Sequence, residues 1–497
     1  MIGRMIDSIV GAFSPGGQLR RMYYRDMLTA EKKRQYGAAK TPKTSSGWHP
    51  IDANVNDLIS SSSSIVRGRV RQLVRDFPYV ARAVNVLTNF TVGTGITVQA
   101  RVKKDGSLDR TVNQSIEDGF SRWEEKADVS GRLCFGELQE LAKRNMVESG
   151  EYLFIKRYRK NKSSIIPYSL QAMEPDRLCS YTAKTTGQNA IHDGVEYNAA
   201  TGEPLFYHFS EDGYIGKSFK VPASDVIHGF KTLRPGQLRG ISIFTPIVLL
   251  SRDIDEFLSA TLDRAKLSAK WLAFVRTDNA IQFQQGRGVK QEEYNRIEEL
   301  ENAIVEYLRP GESVEFANGT IPGETFDPYI RLILRMISVG CGVSYELVSG
   351  DYSGISYSNL RGIRNDLAKD IEPHQVDMVR HFCHPVYRDV LDRMVMGGAV
   401  KVPIGAYMKD PYVFQRAVWM PPGMESVDPL REGKAQVEQI QNLLRSPQET
   451  CRARGRDLEN VLDELKEFKL MCQERDLDVQ ETSTAMAQNP AALGAEE

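Results

Sequence analysis

The chain has 497 residues, of which 41% are hydrophobic and 26% are charged, and its formal net charge is −1. These values are typical of a globular protein with several domains or subdomains and a substantial core. A domain that grips nucleic acid by its charge is usually basic, so near-neutrality argues against such a role and leaves only local, weak or sliding DNA contacts. The six cysteines include no CxxC pair, which argues against a zinc ribbon or a disulfide scaffold and favours reduced thiols in a cytosolic setting.

The first 64 residues are expected to be partly irregular. Residues 1–13 place apolar side chains on one helical face, but Arg4 and Asp7 interrupt it, so the segment is neither a signal sequence nor a membrane span. Docking onto the protein's own body and an in-plane membrane helix are the two interpretations. The five serines at 60–64 are expected to cap the helix that follows them.

A basic amphipathic helix is predicted over 65–90, and Pro78 is expected to end it or bend it near its middle. Its arginines include Arg67, Arg71 and Arg75. Such a row of cations can hold DNA phosphates or form salt bridges at an interface. In a near-neutral chain we favour salt bridges at a subunit interface.

The middle of the chain is predicted to mix helices and strands and to contain a stem. The predicted elements are a helix at 136–148, a strand at 151–158, a hairpin turning at 200–202, a long helix at 246–275, a charged helix at 291–308, a short strand at 313–316 and a helix at 328–341. A long helix out, a small module and a helix back indicate an antiparallel stem that carries a compact head.

The charged helix of this head carries a run of glutamates. The run includes Glu292, Glu293, Glu298 and Glu299. Such a run usually marks a solvated helix face, and the functional alternative is a docking surface for a basic partner.

A second long helix is predicted over 357–395, after a polar loop at 349–356. Its apolar residues recur at helical spacing on both sides of Pro373, which is expected to kink the rod. Some 38 residues make a rod of roughly 57 Å, which is too long for an ordinary compact enzyme domain. Gly350 and Gly354 let the loop change its backbone conformation. The pattern favours a mechanical part of an assembly.

The C-terminal region is predicted to hold short strands, then two helices at 428–444 and 458–475, and a tail at 478–497 rich in Ala, Gln, Thr and Glu. This tail is expected to be disordered.

Catalytic and cofactor motifs are poor. GxxxxGK[ST], HExxH and GxSxG do not occur, so the sequence predicts no enzyme, no cofactor and no metal. His374, His381, Cys383 and His384 lie close together on the long helix, but no carboxylate joins them at a convincing spacing. A metal-dependent DNA-processing enzyme built on these histidines, and a membrane-associated assembly scaffold that uses residues 1–13, are the alternative functions.

Four stretches, in order, resemble the lambda-type portal proteins of tailed bacteriophages. The first runs from 67 to 79 and on through Val92-Gly-Thr-Gly-Ile96, and the second is Arg234-Pro-Gly-Gln-Leu-Arg-Gly240. The third is Gly342-Val-Ser-Tyr-Glu-Leu-Val-Ser-Gly-Asp-Tyr-Ser353 followed by Tyr357-Ser-Asn-Leu-Arg361. The fourth comprises Trp419-Met-Pro-Pro422, Val427-Asp-Pro429 and Arg454-Gly-Arg-Asp457. Each motif alone is weak, but four in this order are specific. The start of the C-terminal helix pair, with Arg431 and Gly433, departs from the family pattern.

The resemblance implies a helix-rich α+β subunit with wing, stem, clip and crown, assembled into a ring of usually twelve copies at one capsid vertex. It implies that double-stranded DNA passes through the ring during packaging and ejection. The expected partners are further copies of the chain, the terminase large subunit, the major capsid or scaffold proteins, and head-completion or tail adaptor proteins, with no membrane. The expected location is the virion, with assembly in the host cytoplasm.

The resemblance also implies a division of the chain. The expected parts are an N-terminal segment at 1–64, a wing at 65–245, stem helices at 246–275 and 326–345, a clip at 276–325, a tunnel loop with its kinked helix at 346–395, wing-associated strands at 396–423, a crown at 424–477 and the tail at 478–497. The residues expected to face the DNA channel are Asp351, Tyr352, Ser353, Ser356, Tyr357 and Arg361. The four glutamates of the charged helix are expected to dock partners at the clip.

Overall fold

The computed structural model describes residues 14, 53–104, 106–158, 166–180, 183–184, 189–211, 218–270, 274–277, 312–315, 326–424, 429–454 and 456–474. The chain divides into two units, Met1–Asn54 and Val55–Glu497, and all of the elements below belong to the second.

Helices dominate the described chain. They are α1 (Val55–Asp76), α2 (Pro78–Thr91), α3 (Arg110–Glu124), α4 (Phe135–Ser149), α5 (Val248–Lys270), α6 (Phe326–Cys341), α7 (Tyr345–Ser349), α8 (Tyr357–Met378), α9 (His384–Met396), α10 (Ile404–Lys409), α11 (Pro411–Phe414), α12 (Pro429–Gln441), α13 (Pro447–Ala453) and α14 (Leu458–Glu474). A single π-helical turn, Val379–Cys383, joins α8 to α9.

The strands are short and pair antiparallel. They are β1 (Thr97–Ala100), β2 (Lys103–Lys104), β3 (Ser107–Leu108), β4 (Glu151–Arg157), β5 (Ser169–Met173), β6 (Ala183–Lys184), β7 (Asn189–His192), β8 (Val195–Asn198), β9 (Pro204–Ser210), β10 (Ser218–Pro222), β11 (Val226–Phe230), β12 (Phe274–Thr277), β13 (Glu312–Glu315) and β14 (Ala417–Met420). The two larger sheets have the orders β10-β9-β8-β7-β6 and β11-β4-β5, and β1-β14, β12-β13 and β2-β3 form ribbons. The α+β, helix-rich fold predicted from the sequence is confirmed.

Helix ends follow the local sequence. Pro78 is the first residue of α2, where its missing N–H removes no helical hydrogen bond. Helix α4 starts with a capping box between Cys134 and Glu137, and it ends at Gly150 with φ of 87°, a left-handed conformation that suits glycine. Asp109 caps α3 by accepting a hydrogen bond from the backbone N–H of Val112.

The predicted start of the first helix is wrong. The serines at 60–64 lie inside α1, which begins at Val55. Ile59, Ser63, Arg67 and Val70 recur at intervals of three and four residues and are the buried residues of α1. Burial of this face stabilises the helix, although its serine-rich sequence is typical of a loop that ends in a helix cap.

Two apolar cores lie along the α8–α9 rod. One packs α9 and the π turn against α3, α4 and β4, with Phe382 and Tyr387 among its aromatic side chains. The second packs α8 against α2, α6 and α7, with Leu367 and Ile371 buried in it. The rod therefore begins in one core and ends in the other.

The π turn has a local cause in the sequence. Pro385 has no N–H to donate to the carbonyl of His381, the fourth residue before it. The wide turn lies immediately before this proline, and the N–H of His384 donates to the carbonyl of Val379, five residues back. Pro373 lies inside α8. The helix predicted over 357–395 is thus continuous, with its irregularity at the second proline, and the kink predicted at Pro373 stays a prediction.

A fully buried carboxylate, Glu151, lies at the start of β4. Its side chain is 0% exposed. The guanidinium of Arg239 donates from Nε to both carboxylate oxygens, at 3.0 and 2.9 Å, and from Nη2 to Oε1 at 2.5 Å. The backbone N–H of Gly240 donates to Oε2 at 2.9 Å, and Nε2 of His228 lies 3.1 Å from the same oxygen. Every partner is itself buried or part of the backbone, so the charge is compensated inside the protein.

Two glycines allow this approach. A Cβ added at Gly150 would overlap the backbone of Ile241, and one added at Gly240 would overlap the carbonyl of Gly150. The segment before β4 and the segment that carries Arg239 therefore meet backbone to backbone. This gives a structural role to the Arg-Gly pair at the end of the second motif.

The Glu151 cluster predicts a large, specific stability effect. Burial alone would raise the pKa of Glu151, but the charge of Arg239 and the hydrogen bonds from His228 and Arg239 outweigh burial and hold this pKa far below its ordinary value. Its stabilisation is therefore complete above the unfolded-state pKa of about 4.3 and is lost as pH falls towards the lower folded-state pKa. At pH 7, Glu151→Gln should lower the free energy of unfolding by about 3 kcal/mol, because it removes the nearer of the two carboxylates that pair with the buried guanidinium of Arg239.

Urea unfolding followed by far-UV circular dichroism measures this effect. Glu203→Gln, at an exposed turn residue, is the matched control and should leave the midpoint unchanged. Equal midpoints for the two variants would contradict the assigned role of Glu151.

Candidate functional site

The predicted channel loop lies between α7 and α8. Residues of the loop itself end the first helix and cap the second. Helix α7 ends at Ser349, and Gly350 follows with φ of 71° and donates its N–H to the carbonyl of Glu346 at 2.8 Å. The loop ends at Ser356, whose hydroxyl caps α8 by accepting a hydrogen bond from the backbone N–H of Asn359 at 3.3 Å. Between them Gly354 has φ of 73°, so left-handed glycines stand near both ends of the loop.

Asp351 anchors the loop to the molecule. Its carboxylate accepts hydrogen bonds from the backbone N–H of Ser353 at 3.1 Å and from its hydroxyl at 2.5 Å. It also accepts the hydroxyl of Tyr345 at 3.0 Å and lies 3.5 Å from Nη1 of Arg331 on α6. The two bonds from Ser353, then the bond from Tyr345, lower the pKa of Asp351 to about 2. The carboxylate is therefore ionised and occupied by its own chain at neutral pH.

The other residues of the predicted channel set are exposed. Tyr352 and Tyr357 are 49% and 50% exposed, and Ser353, Ser356 and Arg361 are exposed as well. The structure thus brings the predicted set together on one loop and the first turn of α8. Asp351 differs from the others in its role: its carboxylate holds the loop in place, whereas the other residues present their side chains to solvent.

A cavity that sequence reasoning missed lies behind the loop. Its volume is about 440 Å³, and it is bordered by the loop residue Tyr352, the apolar face of α8, α2 and the segment after β14. Its lining includes Phe90, Leu347, Leu360, Ile363 and Met424. The apolar spacing of α8 was visible in the sequence, but the residues opposite it come from distant segments.

The histidines near the π turn do not assemble a metal site. Nε2 of His381 lies 3.6 Å from Oδ1 of Asp377, one helical turn away. Burial, together with the charges of Lys143 and Lys231, lowers the pKa of His374 to about 3. Burial also lowers the pKa of Lys143 to about 7. Among the residues that the structure describes, no three His, Cys, Asp or Glu side chains are grouped so as to hold a metal ion.

The apolar segment at 1–13 lies outside the described residues. Of the helices in the part of the chain that is described, none is both long enough and apolar enough to cross a membrane.

The arginines predicted at a subunit interface fall into two groups. Arg67 is 4% exposed; it pairs with Asp176 and its Nη2 lies 3.5 Å from Oε1 of Glu151. The guanidinium of Arg67 is buried among carboxylates of its own chain, and its role at a subunit interface stays a prediction. Arg71 is 32% exposed and pairs with Glu174 and Asp176.

Arg75 is exposed on α1, with Nε 3.6 Å from Oδ1 of its neighbour Asp76. An interface role for Arg71 and Arg75 stays a prediction. The four glutamates predicted for partner docking, Glu292, Glu293, Glu298 and Glu299, lie outside the described residues. The ribbon β12–β13, which flanks that region in the sequence, is described and pairs Phe274 with Glu315.

Comparison with known proteins assigns the family. The family model described as "Phage portal protein, lambda family" matches residues 41–375, more than half of the chain. The chain belongs to the lambda family of phage portal proteins.

Individual portal relatives are distant in sequence but match along most of their length. The chain is 24% identical over 456 residues to the probable portal protein of Halomonas phage phiHAP-1, covering 87% of this chain and 86% of the relative. It is 22% identical over 459 residues to portal protein B of Escherichia phage lambda, covering 83% and 85% of the two chains. Among solved structures, a chain from the virion of the native gene transfer agent particle matches with 14% identity and a TM-score of 0.41, covering 81% of this chain and 94% of that one.

The anchoring of the loop by Asp351 can be tested on the purified protein. Asp351→Ala removes the acceptor shared by Ser353, Tyr345 and Arg331, so the amides of 350–356 should exchange with deuterium at least several-fold faster. Hydrogen–deuterium exchange measured by mass spectrometry reports the change.

Asp366→Ala, which removes an exposed carboxylate from α8, is the matched control and should leave exchange in the loop unchanged. Because the pKa of Asp351 is about 2, the wild-type anchor should persist at pH 4. Equal exchange in both variants would show that Asp351 does not hold the loop.

Proposed function

We propose that this protein forms the portal ring at one vertex of a phage capsid and serves as the conduit for DNA during packaging and ejection. The observation that carries the proposal is the family match over residues 41–375. The long α8–α9 rod and the anchored loop at its start are compatible with a mechanical part of an assembly. The proposal includes no catalytic role.

The parts of the subunit follow from this assignment. Residues 65–245 and 396–423 form the wing, α5 and α6 the stem, and 276–325 the clip. The segment 346–395 supplies the tunnel loop and the rod behind it, and the helices after residue 424 form the crown.

The partners follow from the same assignment. The clip docks the terminase large subunit during packaging and head-completion or tail adaptor proteins afterwards. The capsid or scaffold proteins surround the ring, which closes with about twelve copies. The protein assembles in the host cytoplasm and is retained in the virion.

A channel that lets DNA slide must not hold phosphates tightly, because each neutralised phosphate adds to the barrier against movement. The loop satisfies this requirement. Its exposed side chains are tyrosines and serines, with Arg361 one turn into α8, and the carboxylate of Asp351 is already bonded within the chain. The tunnel-loop role assigns DNA contact to Tyr352, Ser353, Ser356, Tyr357 and Arg361.

Ring closure requires each subunit to bury an apolar face against the next one. Helix α6 carries such a face: Leu332, Met336 and Val339 recur at helical spacing and are 55%, 53% and 84% exposed. The opposite side of α6 is buried through Ile333, Leu334 and Ile337. An exposed apolar stripe next to a fully packed one is typical of a helix between two partners.

The stripe on α6 gives a test of ring assembly. Negative-stain electron microscopy and native mass should show rings of about twelve copies with a central hole for the wild type. Met336→Asp combined with Val339→Asp should shift the protein to monomers of unchanged circular dichroism, because two carboxylates would be buried at each seam.

Lys104→Asp, in the exposed β2–β3 hairpin, is the control and should still form rings. Rings that persist in the double variant would remove α6 from the interface. A wild-type protein that never forms rings would contradict the portal proposal itself.

The tunnel-loop assignment gives a test of packaging. Gly354 has φ of 73°, which proline cannot adopt, so Gly354→Pro should deform the loop and reduce packaged DNA at least tenfold while leaving rings intact. Gly362→Ala is the matched control, because an added Cβ meets open space on α8.

DNA content per capsid measures packaging, and electron microscopy of the purified variant measures assembly. Normal packaging by Gly354→Pro, or loss of its rings, would count against the tunnel-loop role.

A further inference from the structure

A basic cleft lies at one end of the β1–β14 ribbon, away from the predicted channel loop in the sequence. Its volume is about 310 Å³. It is lined by Arg101, His384, Arg388, Tyr412, Gln415, Arg416 and Ala417. His384 belongs to the histidine group considered for a metal, and the other lining residues belong to none of the motifs or site residues predicted from the sequence.

Three separate segments bring the guanidinium groups to this cleft. The antiparallel ladder pairs Ala100 with Ala417 at the end of the ribbon. One residue further on, the backbone N–H of Arg101 donates to the carbonyl of Arg416 at 2.8 Å, so these two arginines emerge side by side. Arg388 comes from α9, one turn after His384, and lines the same cleft. The strand register of the ribbon and the packing position of α9 therefore determine where the three arginines lie.

The cleft has an excess of unpaired positive charge. Arg388 and Arg416 are exposed, and within the described part of the chain neither forms an ion pair. Arg101 is more enclosed: its side chain is 13% exposed, and Nη2 donates to Oε1 of Gln99 at 2.5 Å and lies 3.9 Å from Oδ1 of Asp457. Its Nε is buried and has no hydrogen-bond partner among the described residues.

Asp392 adds a negative charge near the cleft, but within the described part of the chain it forms no ion pair with Arg388 or Arg416. Its carboxylate accepts hydrogen bonds from the hydroxyl of Tyr407 and from Nε2 of Gln415, the latter at 3.3 Å. His384 adds no charge at neutral pH, since burial and the neighbouring Arg388 lower its pKa. The cleft thus offers two free guanidinium forks and a third that is held in place.

Guanidinium forks match the oxygens of a phosphate group in geometry and charge. We propose that this cleft binds the phosphodiester backbone of double-stranded DNA, in which one phosphate lies between Arg388 and Arg416 and Arg101 fixes their spacing. The choice of DNA as the source of phosphate rests on the proposed portal function. The aromatic face of Tyr412, 75% exposed at the rim, is free to contact the same ligand.

This contact differs in kind from the tunnel loop. The loop presents mainly neutral side chains, whereas the cleft presents cations that hold a phosphate. A local holding site is compatible with the near-zero net charge of the chain, because its charge is concentrated at one place. An acidic protein segment is the competing occupant, since carboxylates also pair with arginine.

Binding of a fluorescein-labelled 30-base-pair duplex to the full-length protein, followed by anisotropy at several salt concentrations, tests the proposal. Arg388→Ala combined with Arg416→Ala should weaken binding roughly tenfold and reduce the slope of log affinity against log salt by about one, since the phosphate held between the two side chains is no longer neutralised. Arg69→Ala combined with Arg122→Ala is the matched control, because it removes the same charge from exposed positions on α1 and α3. Equal affinity for the two double variants would overturn the proposal.

Two further measurements separate the alternatives. Replacement of Arg388 and Arg416 by lysine keeps the charge but not the fork, so an affinity between wild type and the alanine variant is expected. Labelled polyglutamate serves as the acidic-protein probe. If polyglutamate binding is lost in the alanine variant while duplex binding is kept, the cleft is a protein site and the proposal falls.

Failure of the cleft proposal can be distinguished from failure of the proposed portal function. Normal rings together with unchanged DNA binding in the alanine variant would reject the cleft and leave the portal function standing. Absence of rings in the wild type would reject the portal function, whereas cleft-dependent duplex binding by that same protein would still support phosphate recognition.

Discussion

The buried carboxylate of Glu151 is the constraint on which the packing of α1, the three-stranded sheet and the segment before α5 depends. A charge with no exposure to water is tolerated only when its partners are already in place. Those partners come from α1 through Arg67, from β11 through His228, and from the segment before α5 through Arg239. A shift of any one of these elements would remove part of the compensation of this charge. The ion cluster therefore specifies how α1, the three-stranded sheet and the segment that leads to α5 are held together.

Continuity of the α8–α9 rod is the second organising feature. Leu367 and Ile371 on α8 belong to one apolar core, and Val386 and Val390 on α9 belong to the other. The π turn lies between them and inserts an extra residue into the helical repeat. This change of phase directs the apolar face of α9 towards the aromatic core, while the face of α8 packs on α2 and α6.

Much of the helical framework was predictable, because long apolar repeats at helical spacing leave few alternatives. The rod at 357–395 and the helices at 136–148 and 328–341 agree with α8–α9, α4 and α6 within a few residues. Helix α3 was missed. The serines at 60–64 misled the prediction, since only tertiary burial of Ile59 and Ser63 makes that segment helical. The partners of Arg67 were not accessible from sequence, because Glu151 and Asp176 lie 84 and 109 residues further along the chain. The basic cleft was not predicted for the same reason, because its arginines come together only through strand pairing and helix packing.

The rod has one further consequence, which is mechanical. Helix α8 starts at the loop and extends for 22 residues, or about 33 Å, before the π turn. Within that turn, Phe382 packs against Tyr152 and Phe154, which follow Glu151 on β4. Close-packed helices move as units rather than bend. A force applied to the loop is therefore transmitted along the rod to the three-stranded sheet, where the buried Glu151 is held by its ion cluster.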